Sequence, residues 1–339
     1  MKTFSQLEHP QQLAIFSKVF ELNKQGLGYK RIIKKLIAED EVRLSKGTLS
    51  YWFNHDVKMI GGENAFEAKP SPELSYILGV LFGDGSVFLN KKKQDYFLSL
   101  SVKDKDFAEK FSGCGAKILN KEKTFAAVKE KPRHFSAMYT TRIRSKQLYN
   151  FVKAVKEDFE KAKPFIEEFS AEFVRGLADS EGTACVSVGK TLSLSICVAV
   201  STNSALLEYV KNLLLQKYAL NTLLRKNKTA GMKDSVINGR IITRTKDLFA
   251  LNVSRNSNKL KYGELIGFGI NRKQTKINDF KFLKETYANS ELVTQWKKMY
   301  TKVGRYWIRN NQLTVKSNIY AGDGSRTRLA PVTGAHPSR

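Results

Sequence analysis

Residues 10–58 alternate apolar and polar positions at helical spacing. QQLAIFSKVFELNKQG offers Leu13, Phe16, Val19 and Phe20 to one face, and YKRIIKKLIAED turns Ile32, Ile33 and Leu36 inward while Lys30, Arg31, Lys34 and Lys35 point outward. Gly26 and Gly28 mark the turn between them. Ser45 is placed to cap a third helix, SKGTLSYWFNH, whose Leu49, Trp52 and Phe53 close a small core. Three short helices with a basic second member predict a helix-turn-helix, which aims Lys46, Thr48 and Tyr51 at a DNA major groove. The alternative is a three-helix bundle with a solvated basic face. Residues 59–72, MIGGENAFEAKPSP, read as a linker.

Two nine-residue segments then follow one template: ILGVLFGDG at 77–85 and VRGLADSEG at 174–182. In each, small residues stand four apart, Gly79 with Gly83 and Gly176 with Ser180, ahead of an acid and a glycine. Positions four apart share a helix face, and small side chains there let two backbones approach closely. The template predicts two helices packed face to face, each ending at a glycine suited to the left-handed conformation. Such packing brings Asp84 and Glu181 side by side. Both acids sit at the negative end of a helix dipole, and their proximity raises one pKa. A divalent cation between them offsets both costs, and oxygen ligands suit Mg²⁺ or Ca²⁺.

The same succession follows each template. The first continues with strands SVFLN and YFLSLSVK, a helix over 104–111, strands KTFAAVKE and SAMYTTRIRS, and the helix KQLYNFVKAVKEDFEKA. The second continues with strands TACVSVG and LSLSICVAVST, the helix SALLEYVKNLLLQKY and the strand LNTLLRKNK. A polar turn GMKDSVING, strands IITRT and LFALNVSR, and the helix NKLKYGELIGF complete it. Each copy reads αββαββα, an internal duplication. The implied boundaries are 1–60 for the helical domain, 61–71 for the linker, 72–168 and 169–285 for the halves, and 286–339 for a basic extension. That extension is helical near 291–300 and disordered from residue 321 onward.

Charge narrows the partner. Lys and Arg total 58 against 32 Asp and Glu, a net charge of +26, which calls for a polyanion. No apolar run is long enough for a membrane span, and the N-terminus lacks a signal-peptide core, so no membrane partner is expected. The 3 cysteines show no zinc or redox spacing, consistent with a reducing, cytoplasmic setting; the 4 histidines are scattered.

At these motifs the chain resembles the LAGLIDADG homing endonucleases of the single-chain, two-motif type. Ile77 and Val174 open the nine-residue motif, and Asp84 and Glu181 occupy its penultimate acidic position. The blocks LSVKDKDFAEKF, RIRSKQLYNFV, STNSALLEYVKNLL and ELIGFGINRKQTKI extend the likeness over roughly 72–280. The sixth motif position, often acidic, is Phe82 in the first copy and Asp179 in the second.

The resemblance implies an α+β fold, a pseudo-twofold tandem of αββαββα units whose antiparallel sheets make a saddle over double-stranded DNA. It implies DNA contacts from strand and loop residues Lys91, Lys92, Lys93, Gln94, Arg142, Arg144, Lys190, Arg225, Lys226, Lys228, Arg240 and Arg244. Asp84 and Glu181 become catalytic metal ligands for Mg²⁺, with Mn²⁺ as a substitute. Lys273 becomes the basic residue assisting catalysis beside them, with Arg272 and Asn271 as the neighbouring choices, and Asp104 and Asn203 become anchors for water or metal. The expected activity is intron-encoded, site-specific cleavage of both DNA strands by a monomer. Two other readings stay open: an RNA maturase acting on intron RNA, and a non-catalytic DNA-binding regulator.

Overall fold

The computed structural model describes residues 1–7, 9–55, 66–90, 95–122, 124–130, 138–237, 240–304 and 306–310. Among them, α1 (His9–Lys24), α2 (Tyr29–Asp40) and α3 (Lys46–Asn54) form the N-terminal helical region. Its core is Ile15, Val19, Leu22, Ile32, Leu36, Leu49 and Trp52, with Phe4 and Phe16 edge-on to the Trp52 ring. Ile15 and Leu22, rather than Leu13, lead the buried face of α1, because the helices it packs against meet it further round. A short parallel pair, β1 (Lys2–Thr3) with β2 (Val42–Arg43), also ties the chain start to the segment before α3. No periodicity announces it.

Ser45 caps α3 as its sequence predicts, its hydroxyl accepting from the Thr48 amide at 3.0 Å. Ser45→Ala should therefore cost about 1 kcal/mol locally. Faster amide exchange confined to residues 46–49 of the full chain checks it.

The duplicated region forms two four-stranded antiparallel sheets. The first orders its strands β3-β4-β6-β5: Ser86–Asn90, Asp95–Val102, Met138–Arg144 and Val128–Glu130. The second orders β7-β8-β12-β9: Thr183–Val188, Leu192–Ser201, Leu248–Val253 and Thr222–Lys228. Counted within each copy, both sheets have strand order 1-2-4-3, so the duplication is one of topology. In β6, Thr141 and Ile143 are buried while Arg142 and Arg144 are exposed, the alternation of a sheet with one solvated face.

Two sequence expectations are revised. The polar GMKDSVING stretch is not simply a turn: Lys233–Ile237 forms β10, paired with β11 (Arg240–Thr243) as a separate hairpin. Backbone pairing there overrides a composition that reads as loop. The helix expected over 104–111 runs on as Lys105–Ile118, burying Phe107, Ala108, Phe111, Gly115 and Ala116. Gly115 is tolerated inside it because a Cβ there would overlap the Ile143 side chain.

The chain divides into two compact units. One holds Met1–Ala184 with Ser195–Thr275; the other holds Cys185–Leu194 with the described residues from Lys276. The second unit includes a helix, Leu292–Met299, and the hairpin of β13 (Tyr300–Val303) and β14 (Tyr306–Arg309). Its core stacks Trp296 on Tyr300 at 4.0 Å, and buried Asp279 accepts from the Tyr300 hydroxyl at 2.7 Å and the Arg309 guanidinium at 3.0 Å. Sequence periodicity predicts only the helix. Residues from 311 onward, including the segment read as disordered, lie outside the described residues.

Candidate active site

The first motif helix is Pro72–Leu81 and the second is Ser170–Glu181. Ser71 caps the first, accepting from the Leu74 amide at 3.1 Å, and Pro72 fills a first-turn position that needs no N–H. Every residue from Leu74 to Leu81 is buried, so this helix is enclosed on all sides and must lie inside the protein.

The small residues set how closely the helices approach. A Cβ on Gly79 would run into the carbonyl oxygen of Phe173 and come within 2.8 Å of the Leu177 nitrogen. Reciprocally, a Cβ on Gly176 would run into the carbonyl oxygen of Tyr76 and lie 3.1 Å from the Val80 nitrogen. A Cβ on Gly83 would overlap Ser180 and reach 3.1 Å from Glu181 Cγ. Ser180 fits by turning its hydroxyl back to the Gly176 carbonyl at 3.2 Å.

The terminal glycines do something other than the left-handed turn their sequence suggests. Gly182 has φ −92°, and Gly85 is not among the positive-φ residues. Gly182 is instead needed for clearance: a Cβ would stand 2.5 Å from the Val198 carbonyl oxygen and 2.9 Å from that of Cys197, on β8. The two acids are also placed differently. Glu181 is the last residue of its helix, whereas Asp84 follows the helix in the turn closed by Gly85 N–H donating to Val80 O at 2.9 Å.

The ends nevertheless bring the carboxylates together. Burial pushes the Asp84 carboxyl above its usual range, and Lys273 works against that rise. Burial also raises Glu181, the Asp84 charge adds to the rise, and Lys273 again opposes it. Among the described residues no group of three or more His, Cys, Asp or Glu side chains is assembled to hold a metal. A pair of carboxylates with open positions for water and phosphate fits Mg²⁺, which keeps several waters and takes few protein ligands.

Lys273 is nearly inaccessible, 5% exposed. Its ammonium donates to Ala178 O at 3.0 Å and Asp179 O at 2.6 Å, the last-turn carbonyls of the second motif helix. Burial lowers its pKa to about 8, against the upward pull of Asp179. A cation there compensates the partial negative charge of the helix end.

The start of the helix Asn271–Thr286 is clamped. Asp179 accepts from Gly269 N at 2.8 Å, Ile270 N at 3.2 Å and the Tyr76 hydroxyl at 2.8 Å. Asp106 accepts from Asn271 N at 2.7 Å, and Arg272 grips Asp104 with two bonds of 2.6 and 2.8 Å. Asp104 is thus engaged as the ion-pair partner of Arg272. Asn203 caps the helix Ser204–Tyr218, accepting from Leu206 N at 3.0 Å. Of the three neighbouring choices, Arg272 and Asn271 are held by these aspartates, and Lys273 alone turns to the motif helix. The roles of Asp106 and Asp179 carry no sequence signal, because their partners lie 165 and 90 residues away.

Asp179→Ala should leave two amides and a buried phenol without their acceptor, costing on the order of 3 kcal/mol or more. Asp179→Asn, which keeps one acceptor oxygen, should cost less; urea denaturation of the two variants compares them. The matching position in the first copy, Phe82, packs edge-on against Phe159 and Phe173 at ring-centroid distances of 5.3 and 6.2 Å.

The expected DNA-contact residues are scattered more widely. Arg142 and Arg144 share the exposed face of β6; Arg142 lies over the Phe97 ring, and Arg144 pairs with Asp95 at 3.2 Å. On β9, Arg225 and Lys226 fall on opposite faces, a register shift opposite Leu248 and Phe249 interrupts the alternation before Lys228, and Lys226 pairs with Asp247 at 2.5 Å. Lys190 is exposed in the β7–β8 turn, and Arg244 is half-buried just after β11. Arg240 belongs to β11, but its side chain, like Lys91, Lys92, Lys93 and Gln94 altogether, lies outside the described residues. On α3, Lys46 is exposed, Thr48 is half-buried against Ser45, and Tyr51 is 57% exposed and stacked on His55. All three cysteines are free, and no helix of the described residues is long and apolar enough to cross a membrane.

The sequence profile described as a LAGLIDADG-like domain matches residues 168–267. The protein named uncharacterized protein MJ0398 of Methanocaldococcus jannaschii is 30% identical over 278 residues, spanning 82% of this chain and 96% of its own length. A second protein of that organism, MJ0314, is 30% identical over 160 residues, covering 45% of this chain and 55% of itself. Among solved structures, I-DmoI in complex with DNA and calcium overlays with a TM-score of 0.42 at 18% identity, covering 61% of this chain and 97% of that one. The LAGLIDADG meganuclease I-AabMI bound to uncleaved DNA overlays with a TM-score of 0.37 at 12% identity, covering 67% and 97%. One motif helix lies inside the matched stretch and its partner packs against it from the first half; the chain carries a LAGLIDADG-like domain and belongs to one family with MJ0398.

Proposed function

We propose that the protein is a site-specific DNA endonuclease that cuts both strands of a long, asymmetric target, acts as a monomer, and is encoded within an intron. The observation that carries this reading is the convergence of Asp84 and Glu181 at the ends of two helices pressed into backbone contact. Packing that brings an exposed and a half-buried carboxylate together raises the pKa of both and costs stability, and a site held at that cost points to a ligand that offsets it.

Asp84 and Glu181 would hold Mg²⁺, or Mn²⁺ in its place. When bound, the metal would supply Lewis-acid chemistry, polarising the scissile phosphate and lowering the pKa of the attacking water. Each carboxylate would serve mainly one DNA strand. Lys273, fixed on the second helix end, supplies a positive charge beside both acids. Arg142 and Arg144 on β6 and the basic residues of β9 suit phosphate and base-edge contacts across the two sheets. The helices α1–α3, with Lys46, Thr48 and Tyr51, would add a second, sequence-reading contact outside the cleavage region.

Retention of both acids favours a nuclease over a DNA-binding regulator, which has no need of them. A maturase reading would require the basic strands to hold structured RNA instead. The direct test offers a randomised duplex library to the purified full chain with Mg²⁺ and sequences the ends. Recovery of one family of cut sites, abolished by EDTA, is the expected result. An uncut library together with tight binding of intron RNA would overturn the nuclease reading.

A further inference from the structure

Each motif helix presents a carbonyl in its last turn that receives a lysine, Leu81 in the first and Ala178 in the second, and the two hold the same place in the motif. Counting from Ile77 and Val174, Leu81 and Ala178 are both the fifth residue of their motif. Lys273 donates to Ala178 O at 3.0 Å; Lys156 donates to Leu81 O at 2.6 Å. The lysines themselves are not equivalent in the chain. Lys156 comes from the last turn of the helix Lys146–Glu157, and Lys273 from the first turn of Asn271–Thr286. Sequence repetition therefore cannot account for the match.

The surroundings of Lys156 leave it to that carbonyl. The acids nearest in sequence are taken by other lysines: Glu157 by Lys153 at 3.9 Å, Asp158 by Lys161 at 3.7 Å and Glu160 by Lys163 at 2.7 Å. Among the described residues no carboxylate stands within ion-pair distance of Lys156. Burial lowers the pKa of its ammonium as it does for Lys273. An exposed lysine with no carboxylate partner that bends its ammonium to within 2.6 Å of the Leu81 carbonyl is placed there by the negative end of the helix it touches.

We propose that Lys156 is a positioning residue for Asp84, doing at the first motif helix what Lys273 does at the second. The reading rests on the nuclease assignment above for its catalytic consequence, but not for its structural one. Leu81 opens the turn that carries Asp84, and the amides of that turn donate back into the helix: Phe82 to Leu78 O at 3.0 Å, Gly83 to Val80 O at 3.0 Å and Gly85 to Val80 O at 2.9 Å. A lysine on the Leu81 carbonyl pins this turn from outside and cancels part of the charge that Asp84 would otherwise meet. The two halves are held unequally. Lys273 has two carbonyls, almost no exposure and a helix start fixed by aspartates, whereas Lys156 has one carbonyl and is an exposed residue. Asp84 is accordingly the less firmly set of the two acids.

Amide exchange on the full chain, without DNA or metal, tests the structural claim. Lys156→Met should speed exchange at Phe82, Gly83 and Gly85 by about tenfold and leave Gly182 unchanged. Lys273→Met should do the reverse, and Lys156→Arg should restore protection. A uniform rise over both helix ends, or none at residues 82–85, overturns the proposal. On a duplex recovered from the library, Lys156→Met should slow one strand and Lys273→Met the other, so that opposite nicked products accumulate. Equal slowing of both strands by Lys156→Met also overturns it, because a merely structural lysine would not choose a strand. Failure of the wild-type chain to cut any duplex counts against the nuclease assignment and leaves the exchange result to decide on Lys156.

Discussion

Asp84→Asn and Glu181→Gln should each lower DNA cleavage by roughly 10²–10³-fold or more, the scale of losing one group that stabilises charge in the transition state. The same substitutions should raise the unfolding temperature of the metal-free protein. Both carboxyls have folded pKa values raised by burial, and Glu181 is raised further by Asp84. A carboxyl whose folded pKa stands above its unfolded one binds its proton better in the native state. Stability from that group is present at low pH and is lost as pH rises from the ordinary carboxylate range through the raised value. At neutral pH the folded protein therefore bears the cost of two charges held together, lessened at Asp84, which is exposed to solvent, and greater at the half-buried Glu181. The amides remove the charge and keep the shape. Calorimetry at neutral pH in EDTA should find Glu181→Gln more stable than wild type and Asp84→Asn raised by less, because solvent screens the exposed Asp84. Magnesium should then raise the wild-type transition and leave the variants little changed, since only an intact pair gains from mass action. A variant that cuts at the wild-type rate removes these acids from the catalytic centre. One that melts lower in EDTA removes the repulsion argument.

Gly79→Ala and Gly176→Ala should be the most destabilising small substitutions in the motif helices, at roughly 2–4 kcal/mol each. The added methyl meets backbone, not a movable side chain: the Phe173 carbonyl in one case and the Tyr76 carbonyl in the other. Relief requires the helices to separate, which loosens the packing of Tyr76, Val80, Phe173 and Leu177, all within 1% of complete burial. Gly113→Ala provides the contrast. That glycine lies within the helix Lys105–Ile118 with nothing inside 4 Å of where a Cβ would stand, so alanine should stabilise by about 0.5–1 kcal/mol. Urea midpoints at constant m-value measure all three. The glycine-to-alanine pair should also lose cleavage, because separating the helices parts the acids.

The duplication is legible because it is written in local periodicities. The spacing of Gly79 and Gly83, and of Gly176 and Ser180, marks a helix face whatever surrounds it, and alternating runs such as LSLSICVAVS mark a half-buried strand. Boundaries are less legible. The helix Lys105–Ile118 continues through SGCG because Ile143 fills the space that Gly115 leaves, a contact made across the fold. The strand β10 forms from a polar stretch because β11 offers it backbone partners.

The sequence by itself determined the two motif helices, their small-residue faces, the acid near the end of each, and a strongly basic surface. These follow from spacing and charge, which local chemistry fixes. Only the tertiary structure decided what surrounds the acids. Lys273 and Lys156 reach the matched carbonyls from different helices, Asp179 turns away to cap a loop, Asp104 goes to Arg272, and the motif-ending glycines provide clearance rather than a left-handed turn. The physical reason is range. Helix faces are set by residues three or four apart, whereas the charge balance of this site depends on groups that folding brings together from as far as 168 residues away.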